Sequence, residues 1–346
     1  MLSSHLLFWS GVVLLLLLGY DATRTTLSAS SSGPITNRLT SGLWRVLLRI
    51  HRLSPSHTLL GGGGPTLTLM LILAWILLAW AGWLLVFCSS ASAVVNSTTH
   101  MPADTIDRVY FIGYTLTTVG YGDMVPGGPG WRLLATIAGA NGLLLFTLSI
   151  TYALPIVSAA TEKRQLALCI HAMGASPEEI LQTGFGNGDF DSLASHLDGF
   201  ESMIAGSSQK HLAYPILHYF HSATSVTALP LALVRLDLAL ELALMRDQRL
   251  PQPVVDRIRS TQHVIQQFLA TLRGAFIRPS DDTPNVPALE QAANLLDRPA
   301  EDLVHKLRGL DKLNLLAAYI DDDGRLWSHV WLPTTSSRTR PEHAYN

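Results

Sequence analysis

One run of seven residues, Thr117-Thr118-Val119-Gly120-Tyr121-Gly122-Asp123, restricts this chain more than any other stretch. It lies between a short apolar stretch, Val109 to Leu116, and a long one, Leu133 to Val157. Gly120 and Gly122 can take positive φ at little cost, where a residue with a Cβ would be strained. A backbone that alternates in hand aims successive carbonyls at one axis. A lone Gly-Tyr-Gly is a common turn and carries little weight. The full heptad, set between segments of membrane length, is far more specific.

Composition places the chain in a membrane. Of its 346 residues 48% are hydrophobic and only 14% charged, against about a quarter charged in ordinary soluble proteins. The formal net charge of −2 implies no nucleic-acid or polyanion partner. Cys88 and Cys169 have no metal-ligand company at a recognised spacing and read as free thiols.

With the apolar stretch before it and the two long segments around it, the heptad resembles the selectivity filter of the two-transmembrane, one-pore-loop potassium channels of bacterial type. The resemblance covers roughly residues 65–158. It implies a homotetramer, because a filter needs four pore loops and this chain supplies one. It implies that the carbonyls of Thr118, Val119, Gly120 and Tyr121, with the Thr118 hydroxyl, replace the water of a potassium ion, with Gly122 completing the filter. Potassium is then the permeant ion and no cofactor is needed. Around the filter, the resemblance puts Tyr114 where relatives often carry a glutamate, and Tyr110 and Phe111 where they often carry tryptophans. Asp123 is then expected to bond to Tyr110 or Tyr114, and Tyr121 to reach Thr115 of a neighbouring pore helix. On the inner helix Gly142 stands at the offset of a hinge glycine, with Gly139 as a second candidate. Close helix packing is the competing role for both glycines. Pro155 marks the helix crossing and the gate, and Leu143, Phe146 and Ile150 are candidates for the cavity wall.

In chain order, residues 1–20 read as an N-terminal transmembrane helix rather than a cleaved leader, since Met1 to Ser4 carries no positive charge. Residues 21–64 hold Arg24, Arg38, Arg45, Arg49 and Arg52 and a single acid, Asp21, which marks them as cytoplasmic. The N-terminus is therefore expected outside the cell. Thr25 to Ser32 is a polar linker, and 42–53 is an interfacial helix with arginines toward anionic lipid headgroups. The pore domain, 65–160, divides into an outer helix (67–87), a polar external loop (Ser89 to Met101), a pore helix (102–117), the filter (118–123), a turret-like turn (Pro126 to Gly130) and an inner helix (131–160).

Residues 161–346 are expected to form a mostly helical cytoplasmic domain, with an unidentified cytoplasmic ligand or protein as its candidate partner. Helices are expected at Asp191–Ala205, Leu212–His221, Leu231–Arg246, Pro253–Arg273, Pro287–Leu296 and Ala300–Leu310. A C-terminal β-hairpin is expected where Ala317–Ile320 and Leu326–Trp331 flank Asp322-Asp323-Gly324. The fold class is thus an all-α membrane protein, a tetrameric pore with a helical appendage and that hairpin. His211, His218 and His221 cluster without a supporting carboxylate or cysteine at ligand spacing, so packed or surface histidines are expected there. Asp321 to Asp323 fails as a calcium loop, because Tyr319 and Val330 would occupy its first and twelfth positions. Gly184 to Gly188 lacks a preceding strand and is no dinucleotide fingerprint. Leu231 to Leu244 is broken by Arg235, Asp237 and Glu241 and reads as a buried soluble helix.

No nucleophile, base and oxyanion arrangement and no phosphate loop is present, so the chain is not expected to be an enzyme. The alternatives are a membrane-anchored sensor with a non-conducting pore, or a subunit of a potassium uptake system. The latter would carry further pore loops on the same chain.

Overall fold

The computed structural model describes residues 2–28, 32–53, 60–185, 190–246, 250–275, 277–279 and 283–331. It divides into two compact units, one built from residues 1–45, 65–157 and 213–216, the other from 46–64, 158–212 and 217–346.

The first unit contains three helices long and apolar enough to cross a membrane: α1 (Leu2–Leu27), α3 (Gly63–Cys88) and α5 (Pro129–His171). Between α1 and α3 lies α2 (Pro34–Leu53). Small residues bring α1 against α3. A Cβ on Gly11 would stand 2.6 Å from the Gly82 carbonyl, and one on Gly82 would stand 2.8 Å from the Leu15 side chain. Such close backbone approach is how helices associate where lipid removes the hydrophobic drive.

The stretch read as a polar linker is partly helical, since α1 runs on to Leu27; residues 29–31 lie outside the described residues. Its extension has a cause. Asp21, fully buried, accepts from the backbone amides of Ile35 (2.7 Å) and Thr36 (3.2 Å), the Thr36 hydroxyl (2.7 Å) and Trp75 Nε1 (3.0 Å). One carboxylate therefore supplies the N-terminal amides of α2 and ties α1 to α3. Gly33 lets the turn pass, because a Cβ there would stand 2.7 Å from the Asp21 Cα.

After α3 come β1 (Val94–Asn96), α4 (Thr105–Leu116) and β2 (Met124–Pro126). The two strands pair antiparallel, Val94 opposite Pro126, Val95 opposite Val125 and Asn96 opposite Met124. Part of the expected external loop is therefore a strand that grips the chain beyond the heptad. A core of Trp83, Phe87, Phe111, Ile112 and Leu116 lies beneath, with the Phe87 ring 5.3 Å from Phe111 and 5.6 Å from Trp131.

The second unit holds the rest of α5, then α6 (Pro177–Gly184), α7 (Asp191–Ala213), α8 (Leu229–Leu244), α9 (Gln252–Ala275), α10 (Glu290–Leu296), α11 (Ala300–Arg308) and α12 (Leu313–Asp322). Ser176 caps α6 by accepting from the Glu179 amide, with Pro177 at the first helical position. The expected helix Leu212–His221 is instead the end of α7 and a 3₁₀ turn at Pro215–Tyr219, because Pro215 cannot continue an α-helix.

Buried on nearly every face, α8 packs against α6, α9, α11 and α12. Its charged residues are matched: Arg235 donates to the carbonyls of His329 (2.6 Å) and Val330 (3.2 Å), and Lys312 bonds to Asp237 (2.9 Å) and pairs with Glu241 (2.6 Å).

The expected C-terminal hairpin is absent from the described residues. Ala317–Ile320 lies inside α12, and Leu326–Trp331 contains a 3₁₀ turn at Trp327–Val330. Leu313, Leu316 and Ile320 are buried at helical spacing, a period too long to read from the four residues 317–320 alone. Gly324 does turn the chain, at φ 69°, but between a helix and a 3₁₀ turn.

Candidate functional site

The site begins with α4. Asp104 caps it by accepting from the Asp107 amide (2.8 Å), and Asp107 adds a negative charge in the first turn. Gly113 lets α4 lie close to α3, since a Cβ there would stand 2.7 Å from the Trp80 ring. Trp80 Nε1 donates to the Val109 carbonyl at 3.0 Å.

Arg108 fixes the other side. Its guanidinium, buried within α4, donates to the carbonyls of Phe87 (2.8 Å), Ser90 (2.9 Å), Ala91 (2.9 Å) and Ala103 (3.1 Å). These include carbonyls that the end of α3 leaves unmatched, and a cation is the best partner for them. Sequence reading missed this role. The available signal was a single arginine, beside Asp107, at the head of the apolar run Val109 to Leu116.

Beyond α4 the chain alternates in hand. Thr118, Gly120 and Gly122 have φ of 59°, 63° and 81°. The glycines behave as expected, and Thr118 joins them despite its β-branched side chain, a costly conformation for such a residue. The amides of Thr118 (3.2 Å, to Thr115) and Val119 (2.9 Å, to Tyr114) donate back to α4 carbonyls and hold the strained turn. Residues 117–123 are exposed in the single chain, with nothing within 4 Å of a Cβ built on Gly120 or Gly122. The run is thus a stretched loop, one side tethered to α4 and the other open.

Three tyrosines stand behind it. Tyr121 stacks on Tyr110 at 6.0 Å between ring centres and 12° between planes, and meets Tyr114 edge-on at 5.9 Å. The Asp123 carboxylate lies near enough to the Tyr110 phenol for its charge to act on it. Tyr114 donates to the Met124 carbonyl, while the Met124 amide donates to Asp123 Oδ1 at 3.0 Å. The Thr115 hydroxyl turns back to the Phe111 carbonyl at 2.6 Å. The far end is pinned too, since the Ser97 amide donates to the Asp123 carbonyl (2.8 Å) and the Gly127 amide to Ala93 (3.1 Å).

On α5, Gly142 is buried against the end of α4. A Cβ there would stand 2.8 Å from the Leu116 Cα and carbonyl carbon, and nearer still to the carbonyl oxygen. For Gly139 the nearest atom is the Thr115 carbonyl oxygen, at an ordinary 3.5 Å. Pro155 lies inside α5, which carries on past it to His171. Leu143, Phe146 and Ile150 are exposed on one helix face together with Leu154 and Val157. A polar pair anchors the helix to α3: Trp83 Nε1 donates to Asn141 Oδ1 at 3.1 Å.

In the second unit the histidines find the carboxylates that sequence spacing did not supply. His218 meets Asp322 at 2.5 Å and His221 meets Asp323 at 3.0 Å. Arg325 donates to Asp323 (3.1 Å) and to the carbonyls of Ser222 (2.6 Å) and Thr224 (3.2 Å). Burial pushes the Asp323 carboxyl up, but the His221 hydrogen bond and the neighbouring charges outweigh it and hold the group below its ordinary range. His218 and His221 of the histidine cluster and Asp322 and Asp323 of the aspartate run, each set aside alone, are thus joined by hydrogen bonds. Among the described residues no three ligating side chains gather as a metal would need.

Comparison with known proteins bears on the same stretch of chain. An ion-channel family model matches residues 70–158, the stretch from α3 through the heptad to α5. Over 263 residues the chain is 32% identical to the uncharacterized membrane protein YdjJ of Bacillus subtilis (strain 168), a match covering 76% of each protein. No solved structure matches the chain.

Proposed function

This chain belongs to the same family as the Bacillus subtilis membrane protein YdjJ and carries an ion-channel domain, and on that footing we propose that it is the pore-forming subunit of a potassium-selective channel. The observation that carries the reading is the alternation of hand at Thr118, Gly120 and Gly122 within the heptad. Four copies of the loop about one axis place rings of carbonyls from Thr118, Val119, Gly120 and Tyr121, with the Thr118 hydroxyl innermost. A potassium ion needs about eight oxygens, which two adjacent rings of four supply as it sheds water. Conduction is passive, and the chain performs no chemical step.

The tyrosine backing and the strand pair hold the loop from outside, and Asp123 stays beside the Tyr110 phenol at its outer end. The gate lies at the lower inner helix around Pro155, with Leu143, Phe146 and Ile150 on the cavity wall. α5 continues to His171 in the second unit, which supports a role for that unit in tuning the gate. The arginine-rich segment 21–64 supports a topology with the N-terminus outside and the C-terminal unit in the cytoplasm.

The test is flux. Full-length protein in liposomes with a potassium gradient should pass potassium in preference to sodium, and Gly120→Ala should abolish that preference. Potassium selectivity unchanged in Gly120→Ala refutes the filter. No flux under any condition favours a membrane-anchored sensor instead.

A further inference from the structure

Where α5 lies against α7 in the second unit there is a cavity of about 330 Å³, lined among others by Glu162 and Lys163 of α5 and Ser202, Ser207 and Lys210 of α7. Two of its groups are unusual. Lys163 is buried, yet the Phe220 carbonyl at 3.0 Å is its one hydrogen-bond acceptor among the described residues, for an ammonium that carries three donors. The Ser207 hydroxyl is buried and has no partner among the described residues. Buried donors left open are costly, and native structures normally fill them. Lys210 closes the rim through an ion pair with Glu162, both half-exposed, and pairs of that kind rearrange at small cost.

We propose that this cavity is a binding site for a phosphate-bearing anion. Its oxygens accept from Lys163, Ser207 and Lys210, the last released from Glu162. The volume exceeds that of a bare oxyanion and leaves room for the group that carries the phosphate. Two sources share this chemistry, a soluble phosphate ester and an anionic lipid headgroup. The α5 side of the site lies four to ten residues beyond Pro155, so an occupant would bear directly on the helix that the channel reading makes the gate.

Binding is measured on the full-length protein in neutral detergent, without reference to conduction. Failure here therefore leaves the channel reading untouched. One arm titrates glycerol 3-phosphate by calorimetry. The other compares thermal stabilisation by phosphatidylglycerol with that by an uncharged glycolipid of the same chains. Binding in the first arm identifies a soluble ester; stabilisation by phosphatidylglycerol alone identifies a lipid. Ser207→Ala is the informative variant, since it removes an unpartnered hydroxyl. Its melting temperature without ligand should hold or rise, while its affinity for the effective anion falls about tenfold, the loss of one hydrogen bond to a charged group. Lys210→Gln should weaken binding by at least as much. Equal affinity in wild type, Ser207→Ala and Lys210→Gln overturns the site, and so does a wild type that binds neither probe, which would leave the cavity to water.

Discussion

Gly142→Ala separates two roles that one glycine could play. A hinge glycine replaced by alanine shifts the balance of open and closed states and leaves the filter alone. The packing around Gly142 leads to a different expectation. Its new Cβ would press on the backbone of Leu116, with Cα and carbonyl carbon at 2.8 Å and the oxygen nearer. Ordinary van der Waals contact begins near 3.4 Å. The end of α4 must therefore retreat by more than half an ångström, and it is backbone that moves rather than the tip of a side chain. Overpacking of this kind costs about 1–3 kcal/mol. Alanine in a helix interior returns about 0.5–1 kcal/mol over glycine. The net change is a loss of up to about 2.5 kcal/mol, delivered two residues before Thr118.

Gly139→Ala is the built-in control. One turn away on the same helix, its Cβ meets nothing closer than 3.5 Å, so only the gain in helix propensity remains. Thermal melts of the detergent-solubilised protein, read with potassium-over-sodium permeability in liposomes, distinguish the two. Gly142→Ala should lower both the melting temperature and the selectivity; Gly139→Ala should hold or raise the first and leave the second. If Gly142→Ala matches Gly139→Ala in both, the contact with Leu116 is not what Gly142 is for, and the hinge reading gains.

Asp21→Ala should cost about 2–4 kcal/mol, because it strands the buried Trp75 N–H and the first amides of α2; a melting temperature within a degree of wild type would refute the clamp. Tyr114→Phe combined with Tyr110→Phe should speed the decay of potassium current, since the pair removes the donor to Met124 and the phenol nearest the Asp123 charge; an unchanged decay rate would leave the tyrosines as packing. Burial, helped by the Lys163 charge, holds the His211 imidazole well below its ordinary range, so it folds neutral. The unfolded chain takes up a proton as pH falls through about 6.5, and stability falls with it by at most about 1.4 kcal/mol per pH unit. Burial depresses His329 as well, with the same sign. The melting temperature should therefore drop between pH 7.5 and 5.5, less so in His211→Gln, and an equal drop in that variant would acquit His211.

The long apolar helices and the alternating hand of the heptad were legible because each rests on a local rule. Runs such as Leu67 to Phe87 declare a span by length alone, and glycines at alternate positions declare a change of hand. Thr118 shows where that reasoning stops, since no local preference asks a threonine for φ 59°, and only its place between α4 and Gly120 does. The residues that sequence reading missed act at long range. Asp21 looked like one stray acid among arginines, but its partners lie 14 to 54 positions away. Arg108 bonds to carbonyls up to 21 positions back.

The histidines are the sharpest case. His218 and His221 reach Asp322 and Asp323 across more than a hundred residues, so a search for ligands at neighbouring spacing was bound to find none. The hairpin error has the same root in reverse. Asp322-Asp323-Gly324 has the composition of a two-strand turn, but its aspartates are spent on histidines, and the helix before it is held by Leu313, Leu316 and Ile320 in the core. Turn chemistry was read correctly at Gly324. What composition could not supply was which elements the turn joins, because that is decided by burial on the far side of the unit.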